Sequence, residues 1–397
     1  MSTGAGPSVS SYPAGFNNGV SIRGITLAQT HPGKAVWLSN GPFQAPSATA
    51  GSDGNDGTFT RPCATLAGAL LKCVAGRGDM IMVKPGHQET ISTATALIMS
   101  VSGVAVIGLG AGALRPTFIL ATATTATINV VADDVTFQNC VFYANLANIA
   151  SAFTLGIASV TASLAGNTLS VTVLGSGYLY VGARVLATGI PVGTYITSQV
   201  SGTANGVGVY SVSGAGATVA STTVTTTARG FTLDNCDVLD TSAILNFLIC
   251  VSFGTVANAF DGISITRNRI VLLATSGVVN LMPITASTAN VTIADNYFQS
   301  ATTNAAAVIP QTAAKVLTGF QLLRNNFNVQ NATGTGTGYL MTTGGVTTNT
   351  GFVHGNYDHA LPTTPLLITA TSGLYYGLNY HSDAADNAGY LIPAADS

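Results

Sequence analysis

Glutamate is almost missing from this chain: Glu89 is the only one in 397 residues, and lysine occurs four times. Charged residues of both signs make up 7% of the sequence, against about 25% in ordinary soluble domains. Exposed helix faces draw on Glu and Lys, so this shortage excludes a mainly helical protein. The nine arginines are scattered, no basic cluster exists and the formal net charge is −2. Nucleic acid is thereby excluded as a partner, because phosphate neutralisation needs grouped Lys and Arg. Cys63, Cys73, Cys140, Cys236 and Cys250 form no metal-type pair. Cys63 and Cys73 read as two buried thiols, with a bridge between them as the alternative, and this usage fits assembly in a reducing cytoplasm. The opening MSTGAGPSVSS lacks the charged-then-apolar pattern of a signal peptide. Residues 96–114 carry no charge, but their four glycines and alternating valines read as buried strand rather than as a membrane span. No membrane partner is expected. Disorder is excluded too, since 47% of the residues are hydrophobic.

What the chain has in quantity is Thr, Val, Ala, Ser and Gly, the mixture of strands and tight turns. A repeat organises it: apolar, any, apolar, two residues, Asn or Cys, any, apolar. It occurs as Val135-Thr-Phe-Gln-Asn-Cys140-Val-Phe142, Phe231-Thr-Leu-Asp-Asn-Cys236-Asp-Val238 and Ile263-Ser-Ile-Thr-Arg-Asn268-Arg-Ile270. Two more copies are Val291-Thr-Ile-Ala-Asp-Asn296-Tyr-Phe298 and Phe320-Gln-Leu-Leu-Arg-Asn325-Asn-Phe327, and weaker ones end on Asn356 and Asn379. From residue 231 the copies start 32, 28, 29, 31 and about 23 residues apart. A beat near thirty residues is one turn of a three-sided parallel β-helix, not a hairpin meander. The leading apolar pair points inward at period two. Cys140, Cys236, Asn268, Asn296 and Asn325 take structural positions at the bend, where Asn is expected to accept left-handed backbone and its stacked amides to bond along a ladder. About nine such turns, at ~4.8 Å per layer, give a rod of roughly 45 Å.

One interval breaks the beat. Residues 135 and 231 are 96 apart, so a stretch over about 157–228, whose only charge is Arg184, reads as a small all-β domain inserted into one rung loop and projecting outward. The expected organisation is an N-terminal arm over 1–50, a first part of the helix over 51–156, the insert over 157–228, and the remainder with a C-terminal cap over 229–397. Trp37 and Phe43 give the arm apolar anchors; a cap over the first turn is the alternative reading of that segment.

The run Ser52-Asp-Gly-Asn-Asp-Gly-Thr-Phe-Thr-Arg-Pro-Cys-Ala-Thr-Leu66, followed by Gly78-Asp-Met-Ile-Met-Val-Lys-Pro-Gly86, resembles the opening of pectate-lyase-type right-handed parallel β-helix proteins. The resemblance covers 51–156 and 229–390, implies a first helix over Ala64 to Ala75, and is specific for fold but weak for activity. Within the insert, Ala187-Thr-Gly-Ile-Pro-Val-Gly-Thr-Tyr-Ile196 and Gly206-Val-Gly-Val-Tyr-Ser-Val212 are similar to a small β-module of phage structural proteins. Together they resemble β-helix virion surface proteins of tailed phages, of the head-decoration or tail-fibre kind. That resemblance implies a homotrimer that is made in the host cytoplasm and resides on the particle surface, with the major capsid protein or other virion proteins as partners.

The candidates for chemistry are few. Asp234, Asp237 and Asp240 are spaced by three around one bend and offer a cation site, or else cap backbone amides. Asp53, Asn55 and Asp56 resemble a calcium-loop fragment without its glutamate and read as a turn, as does Asp133-Asp134. His354, Asp358, His359 and His381 lie on late turns; they suggest zinc on paper or a chance surface grouping. Arg267, Arg269 and Arg324 near Asp295 suggest a charge ladder on the outer face. No nucleophile motif, phosphate loop or cofactor signature is present. The expectation is a non-enzymatic virion protein with no cofactor and no catalytic residues. The alternatives are a tail fibre or tailspike binding, and in one version cleaving, host surface polysaccharide, and a secreted lyase or adhesin, which the missing signal pattern disfavours.

Overall fold

In a computed structural model the structure describes residues 33–40, 50–156, 158–214, 216–226, 228–253, 260–274, 279–301, 308–329, 348–359 and 373–382, with short strands at 21–22, 25–26, 341–342, 366–367 and 390–391. Nearly all the regular structure of the described chain is strand, and most pairing is parallel. The repeat explains why. Each copy supplies one strand before its Asn or Cys and one after it, and each strand pairs with its counterpart in the next copy. The first sheet runs from Ala35–Leu38 through Met80–Val83, Thr136–Gln138 and Ser264–Thr266 to Leu374–Gly377, ten strands in all. Equivalent residues lie one above the other: Thr232, Ser264 and Thr292 form one file, Leu233, Ile265 and Ile293 the next.

The second sheet also has ten strands, from Gln88–Ile91 through Val141–Ala144, Asp237–Asp240 and Tyr297–Ser300 to Tyr380–Ser382, where Tyr390–Leu391 closes it antiparallel. The remaining parallel sheets are shorter. Leu97–Met99, Ile128–Val130, Phe153–Leu155 and Val251–Phe253 form one parallel sheet. Later turns contribute two three-stranded sheets, one of them Phe260–Asp261, Thr288–Ala289 and Leu317–Thr318. These sheets share one apolar core containing Phe137, Phe142, Phe153 and Ile265, all fully buried. Burying a side chain of this size contributes about 1.5–3 kcal/mol. The uncharged stretch 96–114 supplies the strands Leu97–Met99 and Ala105–Gly108, and no helix among the described residues is long and apolar enough to cross a membrane.

Three expectations change. Trp37, read as an arm anchor, lies in Ala35–Leu38, which pairs in parallel with Met80–Val83, so the first sheet begins before residue 51; Phe43 lies outside the described residues. The first helix spans only Leu66–Leu70, capped by Thr65, whose Oγ1 accepts from Gly68 N–H at 3.0 Å. The left-handed residue at each bend is not the ladder Asn or Cys but the one before it. Asn139, Asn235, Arg267, Asp295, Arg324, Gly355 and Leu378 all have φ between +50° and +68°. The turn in chain direction falls there, and the next residue is left free to point inward.

The inserted stretch forms a separate antiparallel sheet of six strands between Ser159–Gly166 and Ala217–Thr226, with its own core around Leu169, Val185, Ile196 and Tyr210. Its two ends meet: Thr226 N–H donates to Ala158 O and Ala158 N–H to Thr226 Oγ1. The unit therefore leaves and rejoins the parallel body at one place. It rests on the body at Gly182, where φ is +94° and a Cβ would lie 3.2 Å from Ala75 Cβ.

Candidate functional site

Asp234, Asp237 and Asp240 do not converge. Asp234 takes a two-point ion pair from Arg267 on the next rung, at 2.8 and 2.5 Å, and accepts from Thr266 and Gln138. Burial opposes its ionisation, but these donors outweigh it and hold the carboxyl below its ordinary range. Asp237 pairs with Arg115 at 2.8 Å. Asp240 is buried and accepts from Phe247 N–H at 2.8 Å and Leu273 N–H at 2.5 Å; burial dominates these bonds and pushes its carboxyl up to about 7. Among the described residues no group of three His, Cys, Asp or Glu is placed to hold a metal ion.

The ladder positions do come together. Asn296 Oδ1 accepts from both Asn268 N–H, at 2.9 Å, and Asn268 Nδ2, at 3.0 Å. Asn296 Nδ2 in turn donates to Ile265 O and to Asn325 Oδ1. Asn325, Asn356 and Asn379 continue the pattern. All five side chains are buried with their polar atoms paired, as a low-dielectric interior demands. Cys236 and Cys140 extend the file upward: Cys236 Sγ lies 3.6 Å from Phe137 O, the carbonyl that an Asn amide would take there, and accepts from Cys140 N–H. Burial pushes the Cys236 thiol up to about 12 and the Cys140 thiol well above its ordinary value, so neither is a nucleophile at neutral pH. All five cysteines are free, with Cys73 half-buried rather than buried.

Asp53 accepts from Ala64 N–H, Thr65 N–H and Thr65 Oγ1, and Asn55 donates to Ala50 O and Pro62 O, so this run staples the turn before the helix. Arg324 pairs with Asp295 through two bonds of 2.8 Å, while Arg267 turns to Asp234 instead. Arg269 stands in register between Asp237 and Tyr297. His354 is exposed, and the side chains of Asp358, His359 and His381 lie outside the described residues.

Two features escaped sequence reasoning because no periodicity marks them. One is a buried polar group at the start of the body. Lys84 Nζ donates to Phe59 O at 2.6 Å and sits 4.1 Å from the Phe59 ring centroid, and burial lowers its pKa. His87 Nδ1 accepts from Asn40 N–H, and its Nε2 lies 3.4 Å from Glu89 Oε2, which caps the helix through Leu66 N–H. The geometry of that His–Glu contact is too poor for a hydrogen bond, so we read it as a weak polar contact.

The other feature is a cleft of about 350 Å³ between the module and the parallel body. Arg184, Leu186 and Val192 form the module's wall, facing Thr288 and Val316 of the body, with Arg229 and Asp261 also lining it. A polar chain crosses the junction. Arg184 Nε meets Asp133 Oδ2 at 3.1 Å, Asp133 Oδ1 accepts from Arg229 N–H at 2.9 Å, and Arg229 pairs with Asp261. Thr288 is buried, and its Oγ1 has no hydrogen-bond partner among the described residues. Compared with known proteins, the chain matches no family model and no curated protein sequence.

Proposed function

We propose that the parallel sheets wind as a right-handed parallel β-helix, and that the chain is a non-enzymatic structural protein on the surface of a bacteriophage particle. In this reading it decorates the capsid as a homotrimer seated on the major capsid protein, with the inserted module projecting. The observation that carries the proposal is the in-register stacking of equivalent repeat residues, with the repeat's polar groups turned into rung-to-rung bonds: the Asn ladder inside, Arg267–Asp234 and Arg324–Asp295 outside. Groups tied up in this way stiffen a scaffold. A mean hydropathy of +0.44 and exposed apolar residues such as Val192 and Tyr375 support burial against other subunits. Mixing the purified protein with capsids that lack it, followed by imaging, should give symmetric decoration, and sedimentation should give a trimer. Association with tails alone, or a stable monomer at micromolar concentration, would overturn the corresponding part.

A second reading, a tail fibre or tailspike that binds host surface glycan, is favoured by one observation. Rings stack on the last rungs: exposed Phe352 on exposed Tyr375 with centroids 5.7 Å apart, and exposed Tyr357 on half-buried Tyr380 at 5.3 Å. Incubation with host polysaccharide and a reducing-end assay tests its cleaving version; sustained release of oligosaccharide would replace the structural proposal.

A further inference from the structure

We propose that His87 is an acid-responsive latch at the first strand of the parallel body: on taking up a proton it exchanges the Asn40 backbone for the Glu89 carboxylate and frees the chain just after Ala35–Leu38. His87 is buried, and its Nδ1 accepts from Asn40 N–H at 2.8 Å. A ring nitrogen that accepts carries no hydrogen, so the neutral imidazole bears its proton on Nε2. That Nε2–H has no hydrogen-bond partner among the described residues, although Glu89 Oε2 lies 3.4 Å away. One ring nitrogen is thus tied to backbone while the other stands slack beside a carboxylate. A second proton can enter only at Nδ1, where it displaces Asn40 N–H, because two donors cannot face one another. The charge it brings turns the slack contact with Glu89 into an ion pair, and a charge-assisted bond outweighs a neutral one.

The surroundings leave the exchange to these groups. Ala35–Leu38, Met80–Val83, the helix Leu66–Leu70 and Thr117–Leu120, whose Phe118 ring lies 5.5 Å from the imidazole, carry no titratable side chain. Lys84 turns its ammonium to Phe59 O, Asp53 is taken by Ala64 and Thr65, and burial keeps Cys63 a neutral thiol. Glu89 also accepts from Leu66 N–H at 2.8 Å, so the carboxylate that would receive the charged ring is fixed by the helix. The opening stays local. Ser39 N–H donates to Cys63 O and Lys84 N–H to Leu38 O, which hold the strand independently of His87. Asn40 is exposed, so water meets its freed N–H. The opened state holds one proton more than the closed one, and its share therefore rises by at most about tenfold for each pH unit of acidification.

The test is amide hydrogen exchange of the full-length protein at about pH 8 and about pH 5, the span over which imidazole changes charge, read as protection against the intrinsic rate at each pH. Protection of the Asn40 amide should fall by about tenfold or more on acidification, while that of Thr136, bonded to Val104 O in the same sheet, should hold. Nitrogen shifts of the His87 ring should place its hydrogen on Nε2 at the higher pH. His87→Asn offers an amide oxygen in place of Nδ1 and cannot titrate, so its Asn40 protection should not depend on pH. Glu89→Gln keeps an acceptor for Leu66 N–H but removes the charge, and should make the acid response severalfold smaller. The proposal is overturned by Asn40 protection that is equal at both pH values in the parent, by an equal fall at Thr136, by the same fall in His87→Asn, by a full response in Glu89→Gln, or by hydrogen on Nδ1 at the higher pH. If His87→Asn does not fold, the ring shifts and Glu89→Gln decide.

Discussion

The parallel body and the antiparallel module draw on the same short menu of Thr, Val, Ala, Ser and Gly, yet each is held together by different means. In the module, strands pair with neighbours in sequence, as Ser159–Gly166 does with Thr168–Ser176, and the core around Leu169 and Tyr210 is local. In the body the parallel strands wait for partners a full repeat away, 28 residues on for Asn268 and Asn296, and 96 across the insert for Cys140 and Cys236. Parallel pairing so distant in sequence costs loop-closure entropy before its contacts repay it. The body adds a buried polar file that is satisfied only when each rung lies in place. Among its described residues the module shows no such file; its single charge, Arg184, pairs with Asp133 of the body instead.

The largest effect should come from cutting that file. Asn296→Leu leaves buried Asn268 N–H without its acceptor and Ile265 O without its side-chain donor, a loss of roughly 2–6 kcal/mol at ~1–3 kcal/mol per orphaned group. Trp37, the only tryptophan, is buried in the body against Phe59. Its fluorescence in urea reads the body alone, while far-ultraviolet circular dichroism reads both regions. A change below about 1 kcal/mol in the Trp37 transition would show that the ladder is decoration rather than a register device.

The next effect depends on pH. Burial raises the Asp240 carboxyl from an ordinary 3.8 to about 7. Between those values the folded chain holds a proton that the unfolded chain has lost. Stability from this group is therefore full below about pH 4 and declines as pH rises toward 7, by roughly 1.4 kcal/mol per pH unit inside the window. The lowered carboxyls of Asp79, Asp234 and Asp295 act in the opposite sense, at more acid pH. Denaturation midpoints of Asp240→Asn across that range should lose this slope; an unchanged slope would mean that Asp240 is ionised in the fold. A smaller gain is expected where the ladder ends in sulfur. Cys236→Asn replaces a weak S–H donor with an amide that reaches Phe137 O and accepts from Cys140 N–H, and should add about 0.5–1.5 kcal/mol. Destabilisation would indicate that the upper rungs are spaced for a thiol.

The sequence made the ladder legible because the need for Asn recurs once per rung, and a periodic demand leaves a periodic trace. The left-handed bend recurs just as often, but Asn139, Arg267, Asp295, Gly355 and Leu378 all fill it, so no single residue type advertised it and the conformation was credited to the ladder Asn beside it. The insert was visible as one long interval. Its seating was not, because Arg184–Asp133 and Gly182 against Ala75 are single contacts without a repeat. The same holds for Lys84 and His87, which are buried, and for half-buried Glu89, whose positions follow from how the helix and the first strands close over them. As for the Asp triplet, spacing by three put the carboxylates near one bend but said nothing of the arginines one rung away that separate them.

The smallest effect on stability tests how the two regions are joined. Arg184 is 40% exposed on its side chain, and an ion pair of that kind contributes about 0–1 kcal/mol. Arg184→Ala should therefore leave the Trp37 transition nearly in place, because the body's core and the module's core are separate clusters. What should change is local. With the tether gone, the module is held by its paired ends at Ala158 and Thr226 and by the Gly182 contact, so amide exchange should rise on the strand Val185–Leu186 and at the cleft wall around Thr288, and not along the Asn ladder. Raising the salt concentration should mimic the substitution in the parent protein, since a half-exposed pair is screened. If exchange instead rises in the ladder, the two regions fold as one cooperative unit, and the contrast between a register held by polar rungs and a module held by local hairpins does not describe how this molecule is stabilised.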